Sequence, residues 1–307
     1  MKILVVGAGA IGGYFGAKLA QAGRDVTFLV RGSRALELQR GGLQIVSPIG
    51  NLTIQPRTIA ANEIRSAYDI ILLGVKAPAL DSAIADMKPA VGPQTIIYPA
   101  LNGMGHMDAL AQAFGKHAIL GGVCMVSTTL DQQGRIIQLN PTQKLAYGEL
   151  TGEITPRIQS FDETISHAGF DTELSTHIVQ DMWNKWVFIA TIGLGTCLFN
   201  GDIGQINSVP DGEPAILQCL DECASVANAS GFPIPEPFLA RIRQIGIDKN
   251  SRLDSSMFRD MRNGANVEVE SILGDLLKRG QSRNLKTPLL QAGCVRLRIY
   301  QKSRSNS

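Results

Sequence analysis

The sequence predicts an α/β fold, a parallel sheet with helices on both faces, followed by an all-helical domain. Three observations predict it. Short apolar runs alternate with helical patterns through the first half, the arrangement that buries a parallel sheet under its own crossover helices. A glycine-rich turn joins the first apolar run to the first helical pattern. Strand signals then fade near Thr172–His177 and long helical patterns take over. The expected division is residues 1–175 and residues 176–307.

Lys2–Val6 reads as a strand and Ile11–Ala22 as a helix that Gly23 ends. Asp25–Val30, Ile70–Val75 and Thr95–Tyr98 are further β-rich runs bounded by Gly, Pro or Asp, and Pro78–Met87 reads as helix. From Ile119 to Tyr147 the pattern is strand-rich with polar turns such as Asp131–Gly134, which predicts extension of the sheet by antiparallel strands. In the second half the helical patterns are Ile178–Phe199, Ala215–Ala229, Glu268–Leu277 and Pro288–Tyr300. Ser230-Gly231 and the series Pro233, Pro235, Pro237 stop the second of these. The polar tail Ser303–Ser307 is expected to fray.

Composition narrows the function classes. A chain of 307 residues, 44% apolar and 18% charged, is long enough for two domains with real cores. A net charge of +2 with no long block of one sign argues against a nucleic-acid-binding surface. The uncharged stretch Trp186–Gly201 is shorter than the roughly 20 apolar residues of a spanning helix. The chain enters a strand directly after Lys2, without the pattern of a signal peptide. With five cysteines, an odd count, a reduced cytoplasmic protein is expected. Cys219 and Cys223, four apart, read as small core residues rather than a metal or redox pair, and the four histidines form no ligand-spaced cluster. No metal site is expected.

Gly7-Ala-Gly-Ala-Ile-Gly12 fits G-x-G-x-x-G, directly after apolar Ile3–Val6 and at the start of a helix. That context makes a weak motif informative. Gly7 allows the tight turn, Gly9 lets a pyrophosphate approach the backbone, and Gly12 lets helix pack on strand. The free amides of Ala10, Ile11 and Gly12 and the helix dipole favour an anion. The first domain is therefore read as a Rossmann dinucleotide-binding domain. The second strand ends Phe28-Leu-Val-Arg31-Gly-Ser-Arg34, with no acidic residue there for ribose hydroxyls, since Asp25 lies at the other end. Arg31, assisted by Arg34, offers a planar cation for a phosphate, which predicts NADPH/NADP+ as cofactor. Lys76 and Asn102, the latter in Asn102-Gly-Met-Gly105, also follow strand ends, where ligands of open α/β sheets bind.

In the helical half, Lys185 begins a stretch without charge up to Asp202. A lysine on so apolar a helix must snorkel, pair or work. Asp254 or Ser255 can cap a short helix. In the helix after it, Glu268 and Glu270 flank an apolar stripe of Val269, Ile272, Leu273 and Leu276 on opposite sides, and periodicity does not choose between them.

The set Gly7 to Gly12, Arg31, Val75-Lys76, Leu101-Asn-Gly-Met-Gly105, Trp183-Asn-Lys185, Ser255-Ser-Met257 with Asp260, Glu268 and Ile272-Leu-Gly274 resembles the ketopantoate reductases (2-dehydropantoate 2-reductases) over essentially the whole chain. The resemblance implies an N-terminal Rossmann domain, a C-terminal helical domain and NADPH-dependent reduction of ketopantoate to pantoate, a step toward pantothenate and coenzyme A. It implies that Gly7, Gly9 and Gly12 hold the pyrophosphate and that Arg31 and Lys76 face the 2′-phosphate. Asn102 then lies near nicotinamide and substrate. Lys185 is similar to the family's catalytic lysine, Ser256 to the serine on the substrate carboxylate, and Glu268 to the acidic residue that orients the substrate or the lysine.

The chain departs from the family pattern at Ile189, Gly193, Ile203 and Leu253, where typical members carry asparagines. Two alternatives therefore stay open: a related reductase of another, more apolar 2-oxo acid, and a non-catalytic NADPH-binding sensor. The expected partner is a small 2-oxo acid, with neither nucleic acid nor membrane. A homodimer is compatible with the helical half, which shows no apolar stripe to define it.

Overall fold

The first strand, β1 (Lys2–Val6), leads through the glycine turn into α1 (Gly12–Gln21) and then β2 (Asp25–Leu29). After α2 (Gly32–Gly41) come three short strands, β3 (Leu43–Val46), β4 (Leu52–Ile54) and β5 (Arg57–Ile59). β6 (Ile70–Leu73), α3 (Leu80–Met87), β7 (Ile96–Pro99) and α4 (Gly105–Phe114) continue the alternation. The computed structural model describes residues 1–305. They form two compact units, residues 1–101 with 106–179, and residues 102–105 with the chain from 180 onward. The sequence places Asn102–Gly105 in the first domain; in the structure this segment groups with the second unit.

In the first unit a five-stranded sheet runs β5-β2-β1-β6-β7, every neighbouring pair parallel. β1, β2, β6 and β7 are buried on both faces, and alternate residues serve opposite cores. Ile3, Val5, Phe28, Ile70, Leu72, Ile96 and Tyr98 share one core with residues of α1. Leu4, Val6, Leu29, Ile71, Leu73 and Ile97 share the other with residues of α3 and α4. The chain order reverses at β1, flanked by β2 and β6, so the turn after β1 lies at a topological switch point.

The hairpin β8 (Gly121–Leu130) and β9 (Ile136–Gly148) is antiparallel, as predicted. It does not extend the parallel sheet, which corrects that expectation. Ile119 makes one isolated parallel bridge to Ile97, and the chain then leaves the sheet. β8 crosses over Tyr98: a side chain at Gly122 would come within 2.7 Å of that ring. β9 anchors a second sheet in the order β10-β9-β3-β4, with β10 at Asp171–Leu174. Between β9 and β10, α5 (Pro156–Ile165) starts at Thr155, whose side chain accepts from the Ile158 amide.

The second unit is helical. α6 (Ile178–Phe199) is apolar on nearly every side, with Met182, Trp183, Trp186, Val187, Ala190, Ile192, Leu194 and Cys197 all buried. α7 (Ile203–Asn207), α8 (Gly212–Ala229), α9 (Glu236–Gly246) and α10 (Ser256–Arg262) follow. The helix predicted at Glu268–Leu277 contains a π turn at Glu270–Gly274 and continues as α11 (Asp275–Gln281). α12 (Pro288–Ser305) starts where the buried Glu222 carboxylate accepts from the Leu289 and Leu290 amides, so α8 caps its dipole. α12 stays helical through Ser305, contrary to the fraying expected from Ser303; residues 306 and 307 lie outside the described residues. Among the described residues, no helix is long and apolar enough to cross a membrane.

Candidate active site

At the end of β1 the chain turns at Gly7, which has φ +93°, a conformation that L side chains rarely adopt. Helix α1 then starts in direct contact with the neighbouring strand end. A Cβ on Gly12 would lie 2.2 Å from the Gly7 carbonyl oxygen, and one on Gly74 would lie 2.5 Å from the Gly12 Cα. Gly74, just after β6, was not singled out in the sequence because it lies inside an apolar run. Gly9 behaves differently: a Cβ there would meet nothing within 4 Å. Two carbonyls of the turn are tied back into the protein. Thr128 of β8 donates to the Ala10 oxygen at 3.0 Å, and Arg34 Nε donates to the Ala8 oxygen at 3.1 Å. Arg34 Nη2 is buried beside the turn without a hydrogen-bond partner. Open space over Gly9, the start of α1 with no acidic residue in its first turn, and an unpartnered cationic donor together fit a dinucleotide pyrophosphate.

The predicted phosphate residues take distinct places. Arg31 caps the start of α2 directly after β2 and is mostly exposed. Its guanidinium donates to the Asp86 carboxylate and to the Ser82 carbonyl, both on α3. Arg34, predicted as its assistant, braces the glycine turn and pairs with Glu37. Lys76 is exposed just after β6.

In the helical unit, Lys185 Nζ donates to the Asn102 side-chain oxygen at 3.0 Å. Asn102 is held by its neighbour, since a Cβ on Gly103, with φ +81°, would lie 2.0 Å from the Ser271 carbonyl oxygen. The Asn102–Gly103 backbone is thus laid directly on the π turn. Trp186, next to Lys185, donates its indole N–H to the Ile272 carbonyl at 2.8 Å.

The two serines divide their roles. Ser255 caps α10 by accepting from the Phe258 amide and lies 2.9 Å from the Thr196 hydroxyl. Ser256, the first residue of α10, is exposed. The structure also separates the two glutamates. Glu270 is exposed and takes a bidentate ion pair from Arg298, at 2.7 and 2.8 Å. The hydrogen bonds from Arg298 hold its carboxyl below the usual 4.5, against partial burial. Glu268 is half-buried, and its carbonyl accepts from the Ile272 amide.

At the positions where the chain leaves the family pattern, Ile203 and Leu253 pack with Ile192, Ile206, Ile216 and Phe188 in one apolar cluster. A Cβ on Gly193 would lie 2.8 Å from the Met257 ε-methyl, and Ile189 is half-buried.

Sequence comparison matches these two halves to known families. Residues 3–152 match the family described as "Ketopantoate reductase PanE/ApbA", and residues 177–301 match its C-terminal counterpart. The "uncharacterized oxidoreductase YkpB" of Bacillus subtilis is 35% identical over 98% of this chain and 99% of that protein. A 2-dehydropantoate 2-reductase of Halobacterium salinarum is 25% identical over 98% of this chain and 99% of its own length. The crystal structure of 2-dehydropantoate 2-reductase from Geobacter metallireducens superposes with a TM-score of 0.87 at 25% identity, covering 97% of this chain and 99% of that one. The chain belongs to the ketopantoate reductase family, nicotinamide-dinucleotide oxidoreductases that act on a keto or hydroxyl group.

Proposed function

We propose that the protein reduces ketopantoate to pantoate with NADPH. The observation that carries the reading is the Lys185–Asn102 pair at 3.0 Å, on a helix that carries no charge beyond that lysine to its end. Gly7, Gly9, Ala10, Ile11 and Gly12 would hold the pyrophosphate, and Arg31 with Lys76 the 2′-phosphate. The dinucleotide, when bound, supplies the hydride. Negative charge then grows on the ketone oxygen of the acid. Lys185, as an ammonium aimed by Asn102, stabilises that charge and donates the proton. Ser256 donates to the acid's carboxylate, and Glu268 orients the substrate or the lysine.

The apolar cluster around Ile203 and Leu253 favours a second reading, reduction of a more apolar 2-oxo acid by the same residues. Purified protein offered NADPH or NADH with ketopantoate and a panel of 2-oxo acids, followed by cofactor absorbance, separates the two. Turnover of ketopantoate at ordinary efficiency supports the first reading, and turnover only of acids without a side-chain hydroxyl supports the second. Binding of NADPH with no turnover of any acid sinks both and leaves a sensor. Lys185→Ala is expected to lower kcat by about 100-fold or more while NADPH affinity holds.

A further inference from the structure

We propose that Trp186 is a positioning residue for Lys185, acting through the π turn at Glu270–Gly274. The inference rests on the reading of Lys185 and Asn102 given above, and it goes beyond it to the device that sets their geometry.

A closed circuit of contacts carries the proposal. Lys185 donates to Asn102. The next residue, Gly103, lies so close to the Ser271 carbonyl that no side chain fits. Ile272, the residue after Ser271, accepts the indole N–H of Trp186. Trp186 is joined to Lys185 by a peptide bond and points about 100° away from it around α6. The lysine therefore reaches Asn102 on one side of the circuit while its neighbour grips the platform under Asn102 on the other. A shift of α6 against the π turn stretches both hydrogen bonds at once.

The platform is irregular. The Asp275 amide reaches back five residues to the Glu270 carbonyl rather than the usual four, and such wide turns recur where backbone groups are put to other uses. The Trp186 bond is fully buried, with the ring 1% exposed and Ile272 3% exposed, so water cannot replace it. Arg279 closes the outer side. Its guanidinium lies 5.5 Å from the Trp186 ring and 5.8 Å from the Trp183 ring, and it is held by Asp275 at 3.2 Å. A buried leucine or phenylalanine would fill much of the space but leave the Ile272 carbonyl without this donor.

The test replaces Trp186 by β-(3-benzothienyl)alanine, which keeps the bicyclic shape and lacks the N–H, with Trp186→Phe alongside. The first readout needs no turnover. It is the side-chain amide cross-peak of Asn102 in the ¹⁵N-labelled full chain, assigned by its loss in Asn102→Asp. The second is steady-state kinetics. The cross-peak is expected to move in both variants. With the acid the protein reduces, kcat is expected to fall by about 10- to 100-fold, the cost of an ångström-scale misplacement, with KM for the dinucleotide held within about twofold. An unmoved cross-peak overturns the proposal, as does an unchanged kcat once a substrate is in hand. If native protein reduces no acid, the reading of the function fails, while the cross-peak still decides the positioning.

Discussion

Replacing Gly9 by alanine separates ligand binding from folding at the glycine turn. The added methyl meets no protein atom within 4 Å, and Gly9 is not in the left-handed region. Stability should therefore stay within about 0.5 kcal/mol, or rise slightly through a stiffer unfolded chain. The methyl instead enters the open space that a pyrophosphate would approach. Losing one charge-assisted bond from a backbone amide, about 1.5–3 kcal/mol, corresponds to roughly 10- to 100-fold weaker dinucleotide binding. Gly12→Ala is the contrast. Its Cβ would lie 2.2 Å from the Gly7 oxygen and 3.3 Å from the Gly74 Cα. Both are backbone atoms that cannot swing away, so α1 must shift at a cost of about 1–3 kcal/mol. Urea unfolding and calorimetric titration with NADPH read the two effects separately. A Gly9→Ala protein that binds NADPH like the native one, or loses as much stability as Gly12→Ala, refutes the assignment of this turn.

Three further outcomes are expected. Arg31→Ala should lower the preference for NADPH over NADH by about tenfold or more, the worth of one charge-assisted contact; an unchanged ratio of the two dissociation constants removes Arg31 from the phosphate site. Glu149 is nearly buried on its side chain. Burial pushes its carboxyl up, but hydrogen bonds from Arg157 and Thr155 and the Arg157 charge outweigh it and hold it below 4.5. A folded-state value below the unfolded one gives stability that is full above about 4.5 and lost as pH falls through the lowered value. Glu149→Gln should flatten the acid decline of the urea midpoint, and a decline identical to native speaks against this pair. All five cysteines are buried, and burial pushes Cys197 and Cys219 up to about 12. A thiol reagent at neutral pH should label none of them rapidly until urea is added, and fast labelling of the native protein contradicts that burial.

The parallel sheet was legible because strands buried on both faces read as continuous apolar runs, as in Ile3–Val6 and Ile70–Leu73. Among the strands that escaped notice, β4 and β5 are three residues each and half exposed, so they exist by pairing rather than by their own pattern. α2 escaped for a related reason, since Leu38 is its one buried residue. The separation of the hairpin into a second sheet depends on its crossing over Tyr98, a tertiary fact with no local signature. Within the candidate site, Lys185 stood out because a charge interrupts an apolar helix. Trp186 did not, because a tryptophan there satisfies the same apolar pattern whether or not its N–H has a task. Periodicity did not distinguish Glu268 from Glu270, because the Arg298 that pairs with Glu270 lies 28 residues away. The bond from Arg34 to the Ala8 carbonyl was not legible, because sequence shows that a cation follows the strand, not which oxygen its fork meets.

Under the proposed function, the apolar replacements set a limit on discrimination as well as a direction. Ile203 is fully buried, and an asparagine there would need partners for both ends of its amide. The present side chain joins Ile192, Ile206 and Ile216 instead, so the position serves packing. A pocket built to hydrogen-bond a hydroxyl rejects the analogue without it by about 10⁴ or more, because its own polar groups are left unpaired. An apolar pocket rejects the extra hydroxyl by only about 100-fold. Ketopantoate and 3,3-dimethyl-2-oxobutanoate differ by that one hydroxyl. Under the second reading, the expected kcat/KM ratio for the two acids lies within about 100-fold of unity. A preference for ketopantoate of about 10⁴ would show that hydroxyl-binding groups other than the replaced asparagines are at work, and would return the protein to strict ketopantoate reduction.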